Sequence, residues 1–279
     1  MKKVLGLVIS ERRLGNTELL VKEILGGVPD PCQREMIRLT EYRIDPCRAC
    51  YRCLEPGVEC RLKDDFNFIM KKIMEADALV IGFPVYFLGP HALFKALTDR
   101  MLGAGHYSGH TRGKPCAVVI PYGMPGWEGY ARTSSLVLPG VLEMKLVDCW
   151  MVHATLPGEG VVTAEKREYA RRLGMGLLNG ADRPKGPREC PYCGSDLFRI
   201  LPGGAVECPL CLARGSLKED GRPELSIAGH HRFSTGGLQE HFGGWLMEMK
   251  KKYLEERDRL KEVQKEYRGK GWWVDPKKP

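Results

Sequence analysis

Eight of the eleven cysteines lie in two short groups, and any fold this chain adopts has to gather each group around a common centre. The first is Cys47-x2-Cys50-x2-Cys53-x6-Cys60; the second is Cys190-x2-Cys193-x14-Cys208-x2-Cys211. Clustered thiols form disulfides in exported proteins and bind metals in a reducing compartment. Lys2 and Lys3 precede a short apolar run, but Glu11, Arg12 and Arg13 interrupt it. The N-terminus therefore reads as a buried first strand and not as an export signal. No apolar run approaches the roughly 20 residues that span a bilayer. A cytoplasmic protein with metal-binding thiols and no membrane partner is expected. Cys32, Cys116 and Cys149 are left without assigned chemistry, and the last two sit in apolar runs as small hydrophobes.

The spacing of each group sets what it can hold. Three thiols at successive i, i+3 intervals can wrap one side of a cube, and a fourth after a short loop can close it. Cys47, Cys50, Cys53 and Cys60 thus favour a [4Fe–4S] cluster over zinc or free thiols. The second group is a pair of C-P-x-C knuckles flanking a hairpin pattern that runs through Leu197–Leu201, Pro-Gly-Gly and Ala205–Glu207. Two such knuckles, at Cys190, Cys193, Cys208 and Cys211, bring four thiolates into a tetrahedron. Zinc is the expected occupant and rubredoxin-type iron the alternative, with Leu212 where a second glycine is common.

The first 180 residues alternate short β-rich runs with helical patterns, which favours a parallel sheet covered by helices on both faces. Strands are expected at 4–9, 35–39, 78–83, 116–120 and 146–152. Phe66, Ile69, Met70 and Ile73 mark one buried helix face, and Thr163 can cap a last helix. The expected fold class is α/β: a flavodoxin-like, doubly wound, five-stranded parallel sheet, with a small C-terminal metal ribbon and a long amphipathic helix. Residues 1–180 form the first domain, with the cysteine insertion at about 44–62. A linker follows at 181–189, a zinc-ribbon or rubredoxin-like module at 190–215, and a loop with a basic helix at 216–279. That helix, from 237 to about 267, carries Leu238, Phe242, Trp245, Met249, Tyr253 and Leu260 as a docking stripe.

Three loops should meet at the C-terminal edge of the sheet, where open parallel sheets bind ligands. Ser10 to Thr17 places hydroxyls, an arginine, an amide and a glycine at a helix N-terminus, which suits a phosphate but equally suits simple capping. Phe83 to Gly89 offers Pro84, Tyr86 and Phe87 as rigid apolar surface, and Pro121 to Gly126 offers glycines for close approach. His106 and His110 are four apart, but Gly103, Gly105 and Gly109 argue against a shared helix. His153 lies near the same edge without an assigned role.

SERRLGNT, FPVYF ahead of LFKALTDR, and the compact cysteine motif between them resemble the iron–sulfur flavoproteins, within the broader NADPH-dependent FMN reductase and flavodoxin-like group. The resemblance covers about residues 1–180. It implies FMN, a [4Fe–4S] cluster, a homodimer or homotetramer, and electrons received from a ferredoxin-like donor. By the same resemblance Ser10, Arg12, Asn16 and Thr17 would hold the FMN phosphate. Pro84, Val85, Tyr86 and Phe87 would line the flavin, with Tyr122 and Gly123 behind it.

The leading expectation is a flavin-dependent oxidoreductase that couples a one-electron donor to a two-electron, small-molecule acceptor. One alternative is an NAD(P)H-dependent FMN or quinone reductase whose first cysteine group is structural. The other is a non-enzymatic ribbon module with a basic tail. Residues 248–279 hold eleven Lys/Arg against seven Asp/Glu, about half of the net charge of +8. Such a tail suits an acidic protein donor, and the lack of interleaved aromatics argues against nucleic acid, Trp272 and Trp273 apart.

Overall fold

The computed structural model describes residues 1–55, 57–180 and 184–271. The basic stretch 272–279, with Trp272 and Trp273, and the start of the expected linker lie outside them. Strand β1 (Lys2–Val8) leads into α1 (Asn16–Gly27) and β2 (Cys32–Arg38); the cysteine segment then precedes α2 (Phe66–Glu75) and β3 (Ala78–Gly82). A two-stranded hairpin, β4 (Val85–Tyr86) and β5 (Gly89–Pro90), is followed by α3 (Ala92–Asp99) and α4 (Ala104–Thr111). Next come β6 (Pro115–Tyr122), the short helices α5 (Ala131–Ser135) and α6 (Val137–Val141), β7 (Lys145–His153) and α7 (Ala164–Leu177). The large sheet has the order β2-β1-β3-β6-β7, and every pairing in it is parallel. This is the flavodoxin-like strand order, with its switch point between β1 and β3.

Alternation along β1 explains the two layers. Val4 and Val8 join Leu20, Val21, Ile24, Ala170, Leu173 and Leu177 under α1 and α7. Leu5 and Leu7 face Phe66, Ile69, Met70 and Ile73 of α2 on the other side. Helices α1 and α7 cross closely enough that a Cβ on Gly174 would lie 2.0 Å from the Ile24 carbonyl oxygen, and one on Gly27 2.2 Å from that of Arg171. Only glycine permits that approach. Thr163 caps α7 as expected, its hydroxyl accepting from the Lys166 N–H.

One expectation is overturned. His106 and His110 share α4, with ring centroids 6.1 Å apart. Two glycines, Gly105 and Gly109, lie inside α4 and cost about 1 kcal/mol each there, while Gly103 is its N-cap; burial of Ala104, Tyr107, Ser108 and Thr111 outweighs that.

The C-terminal part is fused to this body. Strands β8 (Arg199–Ile200), β9 (Val206–Glu207), β10 (Arg214–Leu217) and β11 (Pro223–Ser226) make an antiparallel sheet. Its knuckle residues Cys190, Cys208, Leu210 and Cys211 belong to the same apolar core as α2 and α3. Thr133 on α5 bonds Ser195 and Asp196, and Arg132 donates to Glu189 and to the Cys149 carbonyl. The last arm is α8 (Thr235–Gln239), a wider π turn over Glu240–Trp245, and α9 (Leu246–Lys265). Of its apolar stripe, Leu238 is buried and Phe242 packs on the core, while Trp245 and Tyr253 stay half exposed; Leu246, outside the stripe, is buried as well. Among the described residues, no helix is long and apolar enough to cross a membrane.

Candidate functional site

The loop after β1 is shaped from below by two charged residues that sequence reading passed over. Arg38, at the end of β2, donates to the Ser10 carbonyl at 3.0 Å and pairs with Glu18 at 2.5 Å. Glu18 in turn accepts the Leu14 N–H, holding a turn in which Leu14 has φ of +54°. Burial pushes the Glu18 carboxyl up, but hydrogen bonds from Lys22, Arg38 and Leu14 prevail and hold it at about 2. The N–H groups of Glu11, Arg12 and Arg13 have no hydrogen-bond partner among the described residues. They precede the open first turn of a 12-residue helix. Free donors at a helix N-terminus fit a phosphate. Ser10 and Thr17 are buried beside them, and Arg12 is exposed. Asn16 is already committed: its Nδ2 donates to the carbonyls of Ala154 and Leu156, and its Oδ1 accepts the Gly160 N–H. It ties the loop after β7 to the loop after β1.

The second and third loops meet. Tyr130 N–H donates to the Leu88 carbonyl at 2.8 Å, locking the loop after β6 onto the β4–β5 hairpin. Between them lies a cavity of about 190 Å³ lined by Val85, Phe87, Leu88, Tyr122, Gly123, Met124 and Trp127. Val85, Phe87, Tyr122 and Gly123 are thus brought together, and Tyr86 stands at the hairpin beside His91, its ring 5.4 Å away. Pro84 is half-buried at the hairpin base. The Gly123 carbonyl is fixed by the Thr155 hydroxyl at 2.7 Å and by His153 Nε2 at 3.2 Å. Phe87 is 94% exposed, an open aromatic face against which a planar ring can lie. Met124 and Trp127 carried no distinguishing pattern in the sequence beyond their place in the third loop.

The segment between β2 and α2 carries the first cysteine group. Ala49 and Tyr51 both have positive φ, +46° and +55°, turning the chain between successive thiols. Ala49 N–H donates to Cys47 Sγ at 3.4 Å, and Arg100 Nη2 donates to Cys60 Sγ at 3.1 Å. Burial first, and then the neighbouring Cys60, Cys50 and Cys47, push the Cys53 thiol up. Among the described residues, it is the second group whose four thiols all lie within 4.8 Å of one another. A mononuclear site demands tight convergence; a cubane, with one thiolate per iron, demands a wider quartet. The N–H donors to Cys47 and Cys60 suit sulfurs that carry negative charge, as metal-bound thiolates do. Cys53 abuts Gly103, where a Cβ would stand 3.3 Å from its own Cβ. Cys50 is exposed in a basic pocket with Arg43, Arg48, Arg61 and Lys63.

The second group is a compact tetrad. Cys190 and Cys211 Sγ lie 3.5 Å apart, as do Cys193 and Cys208. Tetrahedral ligands about 2.3 Å from one metal stand at nearly this separation. Sulfur–sulfur hydrogen bonds push Cys193 and Cys211 up and Cys190 and Cys208 down. A bound cation would let all four ionise. Gly194 and Leu212 occupy equivalent left-handed positions, φ +77° and +68°.

Comparison with known proteins agrees with this geometry. Residues 2–155 match the family model described as NADPH-dependent FMN reductase. An iron–sulfur flavoprotein of Methanocaldococcus jannaschii is 42% identical over 99 residues, 35% of this chain and 51% of that one. An iron–sulfur flavoprotein of Archaeoglobus fulgidus is 34% identical over 131 residues, 45% of this chain and 63% of that one. The chain thus spans roughly half to two-thirds of these curated relatives. Among solved structures, a flavone reductase superposes over 99% of both chains with a TM-score of 0.78 at 19% identity, a likeness of fold that includes the ribbon and the arm.

Proposed function

Because the chain belongs to the NADPH-dependent FMN reductase family, we propose that it is a flavin-dependent oxidoreductase of the iron–sulfur flavoprotein kind. It takes electrons singly from an acidic, ferredoxin-like protein and delivers them in pairs to a small-molecule acceptor. When bound, a [4Fe–4S] cluster supplies one-electron transfer and FMN supplies the exchange between one and two electrons. The chain's own residues do the holding. Cys47, Cys50, Cys53 and Cys60 ligate the cluster. The free N–H groups of residues 11–13, the hydroxyls of Ser10 and Thr17 and the Arg12 guanidinium receive the FMN phosphate. Pro84, Val85, Tyr86, Phe87, Tyr122 and Gly123 flank the ring and exclude water from one face. Asn16 serves the phosphate loop by anchoring its neighbour. Cys190, Cys193, Cys208 and Cys211 hold a structural zinc.

The single observation that carries the reading is the cysteine quartet at 47–60, two of whose sulfurs accept N–H donors, Cys47 from Ala49 and Cys60 from Arg100. The basic pocket around Cys50 supports an acidic donor. Tyr86, Phe87, Leu88, Met124, Trp127 and Tyr130 form an exposed apolar patch that supports a homodimer.

Protein purified without air tests the reading. Stoichiometric FMN, about four irons per chain and a reducible EPR signal that Cys53→Ser abolishes are expected. Colourless wild-type protein would overturn it. Faster flavin reduction by NADPH than by reduced ferredoxin would favour the NAD(P)H-dependent alternative, to which the family name points.

A further inference from the structure

Arg100 closes α3 at its C-terminal end, and its side chain is almost fully buried, 1% exposed, beside an Asp64 side chain that is 0% exposed. Nη1 donates to Asp64 Oδ2 at 2.6 Å and to the Asp45 carbonyl at 3.0 Å. Nη2 donates to Asp64 Oδ1 at 3.2 Å and to Cys60 Sγ at 3.1 Å. The guanidinium also lies 4.2 Å over the Phe66 ring, and its Nε has no hydrogen-bond partner among the described residues. Asp64 in addition accepts the Asp45 N–H at 2.7 Å. One ion pair thus joins both ends of the cysteine segment to α3, and among the described residues its one hydrogen bond to a cysteine sulfur is the N–H aimed at Cys60.

We propose that Arg100 is a positioning residue for the cluster, holding Cys60 by an N–H···S hydrogen bond that raises the cluster's reduction potential. This rests on the function proposed above. The Asp64 carboxylate offsets the guanidinium charge at a distance, so what reaches Cys60 is mainly an oriented N–H dipole. Reduction adds negative charge to the cluster and its sulfurs, and a fixed donor stabilises that form more than the oxidised one. Locking the fork in place means the donor does not reorient as the charge changes. A role confined to joining the loop ends would affect stability and leave the potential alone.

The experiment is an EPR-monitored redox titration of anaerobically purified wild type, Arg100→Gln, Arg100→Lys and, as a charge control, Arg52→Gln. Arg52 is exposed beside Cys53 and makes no hydrogen bond to sulfur among the described residues. For Arg100→Gln the reduced-to-oxidised ratio at a fixed potential should fall about tenfold, equivalent to about 59 mV for one electron. Arg52→Gln should change it less than twofold. Should Arg100→Gln fail to fold or retain iron, Arg100→Lys decides, with an expected shift of the same sign and smaller size. A wild-type potential in Arg100→Lys with Arg100→Gln unreadable, or equal shifts in Arg100→Gln and Arg52→Gln, would overturn the proposal and leave the proposed function standing. Wild-type protein without iron would remove both.

Discussion

Replacing Glu18 by Gln should cost stability at neutral pH and much less in acid. The carboxyl sits near 2 instead of the ordinary 4.5 because hydrogen bonds from Lys22, Arg38 and the Leu14 N–H outweigh its burial. A folded-state value below the unfolded one stabilises the protein above about pH 4.5, and that contribution drains away as pH falls towards 2. At about 1.4 kcal/mol per unit, it is about 3 kcal/mol at pH 7 and about 1 kcal/mol at pH 3. Gln cannot ionise, so the gap between wild type and Glu18→Gln should shrink by about 2 kcal/mol across that interval. Urea unfolding of both proteins, metal-free and reduced at both pH values, measures it. A gap that is constant with pH, or a variant more stable than wild type at pH 7, would show that Glu18 is not the anchor of the Leu14 turn.

Four further outcomes are expected. Asn16→Ala removes three hydrogen bonds between the β1 and β7 loops and should cost about 2–3 kcal/mol at about 1 kcal/mol each, together with weaker FMN retention read by flavin fluorescence. Gly174→Ala forces a Cβ against the Ile24 carbonyl oxygen and should destabilise by about 3 kcal/mol in thermal unfolding. Gly176→Ala on the same helix meets nothing within 4 Å and should be neutral or gain up to about 1 kcal/mol from helix propensity. Chelation should strip amide-exchange protection from Cys190 to Ser226 while β1, β3 and β6 remain protected. Protection of the knuckles that survives metal removal would mean the tetrad holds no structural ion.

The sequence by itself determined the elements whose pattern is local. Near-continuous apolar runs at 78–83 and 116–120 read as strands covered on both faces. The i, i+3, i+4, i+7 spacing of Phe66, Ile69, Met70 and Ile73 could only be one side of a helix. Thr163 capped its helix, and both C-P-x-C knuckles flanked a real hairpin, because capping and knuckle turns need just a few consecutive residues. Local composition misjudged α4, where three glycines weighed against a helix that tertiary burial supplied. Nor could local pattern show that the Asn16 amide ties the loop after β1 to the loop after β7. Arg38, Glu18, Asp64 and Arg100 left no signal in the chain, since each acts on a residue 20 to 40 positions away along the sequence. Which charges meet, and so which backbone donors remain free and which sulfur receives an N–H, is fixed only when distant segments pack. That pairing depends on three-dimensional proximity, which residue order encodes through the whole fold and never through a motif.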